Sequence, residues 1–280
     1  MRLTGAVNSP ADASIEPPAR PPTGTVLGPV RHRYADWLGL DAAEVLAQRD
    51  DDHTDVRALQ LILRLERTAT PSWHRALELA ATACAAVCLD PRSEPGGDWF
   101  EPLAAYCASS IRKVTRRARG VHWAATRALP GLSMAVGDTE VRAILPGRVA
   151  DLDPRVGRLQ VGGTDLPIDQ PLPASDGPVL ELFVPTEPAM TAGKQMAQAG
   201  HAGMIAAALL AVDDLPVLHR WAAAGCPTRV RRSSPPEFRK LSATLADPEQ
   251  AWRDERLLAV RDAGFTEIAP GTVTVIGRAR

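Results

Sequence analysis

The chain has 280 residues, 32 basic against 33 acidic side chains, a formal net charge of −1 and 45% hydrophobic residues. That composition fits a globular protein of one large or two small domains. The N-terminus lacks the apolar core of a secretory signal, and the longest apolar run, Ala202–Val212, is too short and small-sided to cross a bilayer, so a cytoplasmic protein without a membrane partner is expected.

The charge is unevenly placed. Residues 56–149 carry 13 basic and 8 acidic side chains, whereas residues 1–55 carry 5 and 9, residues 150–178 carry 2 and 5, and residues 179–280 carry 12 and 11. A basic middle between acidic flanks suits a polyanionic partner that the whole-chain total hides. Residues 1–30, rich in Pro, Ala and Gly, read as a disordered tail, and residues 31–55 as a short helical connector ending near the acidic run Asp50-Asp51-Asp52. Three adjacent carboxylates read as a solvated connector rather than a metal site.

Residues 56–149 then give an apolar strand at Leu59–Arg64, a helix from about Pro71 to Cys88, and a helix followed by a basic strand over Ala104–Arg119. Cys84 and Cys88 stand one turn apart on the Ala-rich helix; Cys107 and Cys226 are isolated. With no further ligands at zinc spacing, no metal site is expected, and the four cysteines read as small buried hydrophobes. Residues 150–178 are rich in Pro, Asp and Gly and read as a long, partly mobile linker.

Residues 179–280 open with a strand at Val179–Val184 and continue into Met190-Thr191-Ala192-Gly193-Lys194-Gln195-Met196-Ala197-Gln198-Ala199-Gly200-His201-Ala202. Thr191 is placed to cap a helix. On that helix Lys194, Gln198 and His201 fall at i, i+4 and i+7, on one stripe near an N-terminus that favours anions. Ser234 and Pro235 read as the cap and first residue of a later helix ending near Ala246, with Asp247–Asp254 as extra chain. The last stretch is a strand ending at Asp262, a tight turn at Ala263-Gly264, and a return through Thr266, Pro270-Gly271, Thr272 and Thr274 into a final strand. Thr272 and Thr274, two apart, would share a strand face, which β-propensity alone also explains.

The pattern M-T-x-G-K-x-x-A-Q-x-x-H-A from Met190 and the pattern D-A-G-x-T-x-I-A-P-G-T-x-T-V-x-G from Asp262 occur in order, near opposite ends of a segment of suitable length. Together they resemble the type-2, archaeal and eukaryotic class of peptidyl-tRNA hydrolases, over the C-terminal third of the chain. The resemblance implies a cofactor-free enzyme that cleaves the ester between a peptide and the 3′ end of tRNA, with peptidyl-tRNA as partner. Phe265 departs from the polar residue frequent at that place in the family.

Ester hydrolysis needs an activated water and a stabilised oxyanion. No nucleophile elbow is present, and Cys226 lies outside both motifs, which favours direct attack by water. Asp262 is the candidate to orient or deprotonate that water. Lys194 would stabilise the oxyanion or hold a phosphate, and His201 would transfer a proton or donate a hydrogen bond. Gln198, Thr266, Thr272 and Thr274 are the supporting set. A plain Lys194–Asp262 salt bridge and a satisfied core His201 are the structural alternatives. Arg112, Lys113, Arg116, Arg117 and Arg119 in the middle segment, with Arg229, Arg231 and Arg232 in the last, are the candidates for RNA phosphates, although strand alternation lets only part of each cluster face one partner.

Residues 56–149 also align by eye on 179–280. A shift of 120 superposes the first strand and helix, and a shift of 124 places Met134–Asp138 on Leu258–Asp262 and Pro146-Gly147 on Pro270-Gly271. In that alignment His74, Glu78 and Ala81 replace Lys194, Gln198 and His201, and Arg142, Arg148 and Ala150 replace Thr266, Thr272 and Thr274. The expectation is an α/β fold, a mixed and roughly four-stranded sheet with helices on both faces, duplicated so that a degenerate first copy makes an intrachain pseudo-dimer within a monomer. An unrelated accessory α/β domain is the alternative. Functionally, a non-catalytic tRNA- or ribosome-associated module and a protein-interaction adaptor compete with the hydrolase.

Overall fold

The computed structural model describes residues 21–47, 55–68, 70–162, 165–171, 177–263 and 268–280. A single 3-10 turn, Thr25–Leu27, leads into α1 (Gly28–Gly39) and α2 (Ala42–Ala47). The first unit holds β1 (Arg57–Arg64), α3 (Trp73–Leu89), α4 (Phe100–Ala108), β2 (Arg112–Ala118), α5 (Gly120–Thr126), β3 (Gly131–Val136) and β4 (Thr139–Arg148). The following chain adds α6 (Pro154–Gly157) and β5 (Gln160–Val161) to it. In the second unit come β6 (Leu180–Pro185), α7 (Ala192–Asp213), α8 (Leu215–Ala223), β7 (Thr228–Ser233), α9 (Pro235–Thr244), α10 (Pro248–Glu255), β8 (Leu257–Arg261) and β9 (Val273–Ala279).

Each unit is built on a mixed sheet, in the order β3-β4-β1-β2-β5 and β7-β6-β9-β8. β1 runs parallel to β2 and antiparallel to β4, which is antiparallel to β3. β6 likewise runs parallel to β7 and antiparallel to β9, which is antiparallel to β8. Thus β3-β4-β1-β2 and β8-β9-β6-β7 have the same order and the same senses. The chain is mixed α/β, as its alternation of strand and helix patterns predicts.

The core lies between the sheets and is made by two Ala- and Gly-rich helices. α3 packs on β3 and β4 and reaches across to β7; α7 packs on β8 and β9 and reaches across to β2. Small side chains let the helices touch. A Cβ placed on Gly203 would stand 2.2 Å from the Ala81 carbonyl oxygen, and one on Gly200 would stand 2.8 Å from Cys84 Sγ. Leu59, Leu61 and Leu63 from β1 join Leu180, Leu182 and Val184 from β6 in one apolar cluster that includes both helices. Full burial of such a side chain contributes about 1.5–3 kcal/mol. The polar groups at the seam are paired: Trp73 Nε1 donates to Gln195 Oε1 at 2.6 Å, and Thr82 Oγ1 donates to the Cys226 carbonyl at 3.0 Å. By length and composition α7 alone among the described helices could cross a membrane, but it is mostly buried between the two sheets.

Several expectations need correction. The tail expected over residues 1–30 ends earlier than its Pro-rich composition suggests, because Val26, Leu27 and Val30 are buried against the core; residues 1–20 lie outside the described residues. Within the expected linker, residues 149–161 fold onto the first unit, and the described part of 165–171 crosses the start of α3. There the Pro167 carbonyl accepts from Trp73 N at 2.9 Å and Asp169 Oδ1 lies 2.6 Å from His74 Nδ1. Pro146-Gly147 is not a turn equivalent to Pro270-Gly271: it lies inside β4, since β3 and β4 join through the tight turn at Gly137-Asp138. Asp138 is consequently exposed on that turn, whereas His74 and Glu78 are buried on α3.

Candidate active site

The site forms where α7 begins, beside the C-terminal end of β8. Thr191 caps the helix, its Oγ1 accepting from Lys194 N at 3.4 Å. One turn separates Lys194 from Gln198, so both side chains reach the same point. That point is Asp262, which follows β8 and is 4% exposed. Its Oδ2 accepts from Lys194 Nζ and, at 2.7 Å, from Gln198 Nε2. On the far side of the amide, Thr274 Oγ1 lies 2.9 Å from Gln198 Oε1 and 3.2 Å from the Val260 carbonyl. An ammonium, a carboxylate, an amide and a hydroxyl therefore form one continuous chain of hydrogen bonds. The carboxylate is held in a single orientation by two donors.

Backbone features aim these groups. Asp262 N donates to the Thr272 carbonyl at 2.9 Å, and Gly271 N donates back to the Asp262 carbonyl at 2.8 Å, closing the loop that carries the carboxylate. Pairing of β8 with β9 slips by one residue between Val260 and Arg261, leaving Thr274 as the extra residue of a bulge. A bulge re-aims the side chain it carries. This is why Thr274 turns to Gln198, while Thr272 lies before β9 and contributes its backbone, not a shared strand face. Thr266 lies outside the described residues.

His201 does not join the chain. Seven residues bring it back to the stripe of Lys194 but carry it about 10 Å further along the axis. There it meets the first unit: Lys113 Nζ lies 3.5 Å from His201 Nδ1, 3.3 Å from Tyr106 Oη and 2.9 Å from Met204 Sδ. Burial, then the charges of Lys113 and Lys194, push the His201 imidazole well below its usual range. Burial likewise lowers Lys113, although the Cys84, Cys88 and Cys107 thiols act in the opposite direction. All four cysteines are buried thiols, and burial pushes Cys226 up to about 12.

The basic residues are dispersed. Lys113 turns in to the seam, toward Tyr106, His201 and Met204. Arg116 is committed to Gln60 Oε1 and the Leu159 carbonyl, both at 2.9 Å, and Arg112 is half-buried. Arg117 and Arg119 stand at the end of β2, where Arg119 is exposed. On the second unit Arg229 donates to the Thr228 carbonyl at 2.9 Å, Arg231 lies over the Phe183 ring, and Arg232 is exposed.

Two side chains that brace the strand and loop around Asp262 had no signal in the sequence. Arg261 Nε donates to the Gly271 carbonyl at 2.8 Å, and its Nη1 donates to carbonyls at the end of α1, including Leu38 at 3.0 Å. Tyr34 Oη accepts from Ala259 N at 2.9 Å, on the edge strand that delivers Asp262. Both depend on where α1 docks, which no local pattern encodes.

Residues 179–279 match the family model described as peptidyl-tRNA hydrolase PTH2. The matched segment is the second unit, and it contains Lys194, Gln198, His201, Asp262 and Thr274. No curated protein and no solved structure matches the chain.

Proposed function

We propose that this protein is a peptidyl-tRNA hydrolase that splits the ester between peptide and tRNA by direct attack of water, with the chemistry carried by the second unit. The observation that carries the reading is the hydrogen-bonded chain Lys194–Asp262–Gln198–Thr274, set at the start of α7 within the segment that matches the family. In this reading Asp262, fixed through Oδ2, orients and deprotonates the water. Lys194, held on that carboxylate and close to the positive end of a 22-residue helix, stabilises the oxyanion. Gln198 and Thr274 keep the carboxylate from rotating. His201 is assigned to the seam between the units and not to proton transfer.

The matching order and senses of the two sheets support a second part of the proposal. The first unit is a degenerate copy of the second, and the two together make an intrachain pseudo-dimer. His74 and Glu78 stand on α3, but Asp169 of the crossing segment contacts His74, and Glu78 accepts from Val230 N at 3.2 Å. The first copy thus keeps the scaffold without the Lys–Asp pair.

The test is release of peptide from a purified N-blocked aminoacyl-tRNA by the full chain, with Asp262→Asn and Lys194→Ala alongside and thermal unfolding recorded for each. Turnover by the wild type, with losses of about a hundredfold or more in both folded variants, is expected. Tight tRNA binding without turnover by the wild type would instead leave a non-catalytic RNA-binding module.

A further inference from the structure

The first unit carries a basic pocket that the hydrolytic site does not use. At the end of β2, Arg117, Arg119, His122, Arg158 and Gln160 line a concavity of about 300 Å³ in which no lining residue is acidic. Arg119, His122, Arg158 and Gln160 are exposed. The elements that converge there are held by pairing of β5 with β2, which sets Arg117 opposite Gln160. Arg158 Nε donates to the Pro154 carbonyl at 2.9 Å, which steadies the guanidinium, and Asp153 is close enough to feel its charge. The nearby Glu66 accepts from Gly120 N and from Arg64 Nε, each at 3.1 Å, and also feels the charge of Arg119.

A larger pocket on the second unit, about 500 Å³, shows what an occupied basic surface looks like. There Arg278 is matched by Glu255 at 3.1 Å, Arg280 by Glu181 at 2.9 Å and Arg231 by Glu237 at 3.6 Å. Those charges neutralise one another. The pocket on the first unit brings guanidinium forks, an imidazole and an amide together, with the carboxylates of Glu66 and Asp153 near Arg119 and Arg158 but outside the lining, a donor set suited to phosphate oxygens.

Its position relates it to the hydrolytic site. Thr115 lies two residues before Arg117 on the same strand face, and a Cβ on Gly193 would be 3.7 Å from Thr115. Gly193 immediately precedes Lys194. Arg117 of the basic pocket therefore follows Thr115 along the strand from the end of α7 that carries the Lys194–Asp262 pair.

We infer that this pocket binds a phosphodiester of the RNA substrate, so that the non-catalytic unit holds the tRNA while the second unit cuts the ester; the identification of the RNA rests on the hydrolase reading. The test uses the full chain carrying Arg119→Ala with Arg158→Ala, and a control, Arg239→Ala with Arg253→Ala, that removes the same charge from exposed sites elsewhere. Deacylated tRNA binding is measured over a salt series, with inorganic phosphate as competitor, and KM and kcat for peptide release are measured in parallel. The pocket variant should bind tRNA about tenfold more weakly and lose roughly 1–2 from the slope of log affinity on log salt. Its KM should rise in step while kcat is kept, and the control should stay near the wild type.

Equal affinity and slope for the two variants would overturn the inference, as would a pocket variant that loses phosphate competition but keeps full tRNA affinity. The binding arm stands apart from turnover. A wild type that binds tRNA and releases no peptide defeats the hydrolase reading, while the pocket is still decided by the comparison of variants.

Discussion

Gln198 bridges Thr274 and Asp262: its amide nitrogen lies 2.7 Å from Asp262 Oδ2, and its oxygen lies 2.9 Å from Thr274 Oγ1. The amide is buried at 3% exposure, so it cannot exchange these partners for bulk water. Replacing it by a carboxylate of the same shape sets two acids beside one lysine. Like charges in so enclosed a site force one carboxyl to hold its proton, which raises its pKa. Gln198→Glu should therefore lower peptide release at pH 7 by about ten- to a hundredfold. The acid limb of its pH–rate profile should move upward. An unchanged profile would show that Gln198 does not hold the reacting carboxylate.

The helix seam offers a test of packing. Ala in place of a helical Gly gains about 1 kcal/mol in propensity. At Gly203 the added methyl meets the Ala81 carbonyl oxygen at 2.2 Å, and backbone cannot rotate aside as a side chain would. Overpacking of this kind costs about 1–3 kcal/mol or more, so the clash outweighs the gain. Gly203→Ala is expected to lower the urea midpoint of unfolding, while Gly39→Ala, where a methyl meets nothing within 4 Å, should not.

How much of this was legible in the sequence follows from the range of the interactions. Lys194 and Gln198 share a face through helix periodicity alone, and the strand-turn pattern at Asp262 is equally local, so both could be read in advance. Thr274 could be named but not aimed, because a one-residue bulge decides where its hydroxyl points. His201 had the right face and the wrong height, and only the docking of β2 against α7 reveals Lys113 as its neighbour. The basic strand was visible as a cluster; its division between seam, sheet face and pocket needed the pairing of β1, β2 and β5. Buried Val26, Leu27 and Val30 were masked by their Pro- and Gly-rich surroundings.

His201 also gives the fold a dependence on pH. Its folded-state pKa lies well below the usual value, through burial and then the charges of Lys113 and Lys194. The unfolded chain binds a proton near pH 6.5 that the folded state refuses. Stability is thus full above about pH 6.5 and falls as the pH drops below it, by up to about 1.4 kcal/mol per unit, until the folded value is reached. His201→Gln removes this contribution. Urea midpoints at pH 7.5 and 5.5 should separate more for the wild type than for the variant; equal separations would show that His201 titrates normally.

Arg261 tests whether α1 positions the site. Its guanidinium joins the Gly271 carbonyl, in the loop that returns from Asp262, to carbonyls at the end of α1. Lysine at this position keeps the charge but cannot span several carbonyls with a planar fork. Arg261→Lys should therefore leave the loop less well held, and misplacement of a reacting group by about 1 Å can cost a hundredfold in rate. The expected result is a fall in kcat of about tenfold or more with KM and tRNA affinity little changed, because Arg261 lies in the support of Asp262 and not on an RNA surface. Tyr34→Phe is the comparison: it strips a partner from Ala259 N, buried two residues earlier on the same strand, at about 1–3 kcal/mol of stability. A rate loss in Arg261→Lys larger than that in Tyr34→Phe, at a smaller stability loss, would separate positioning of the catalytic loop from simple weakening of the fold. The reverse order would assign Arg261 to stability alone.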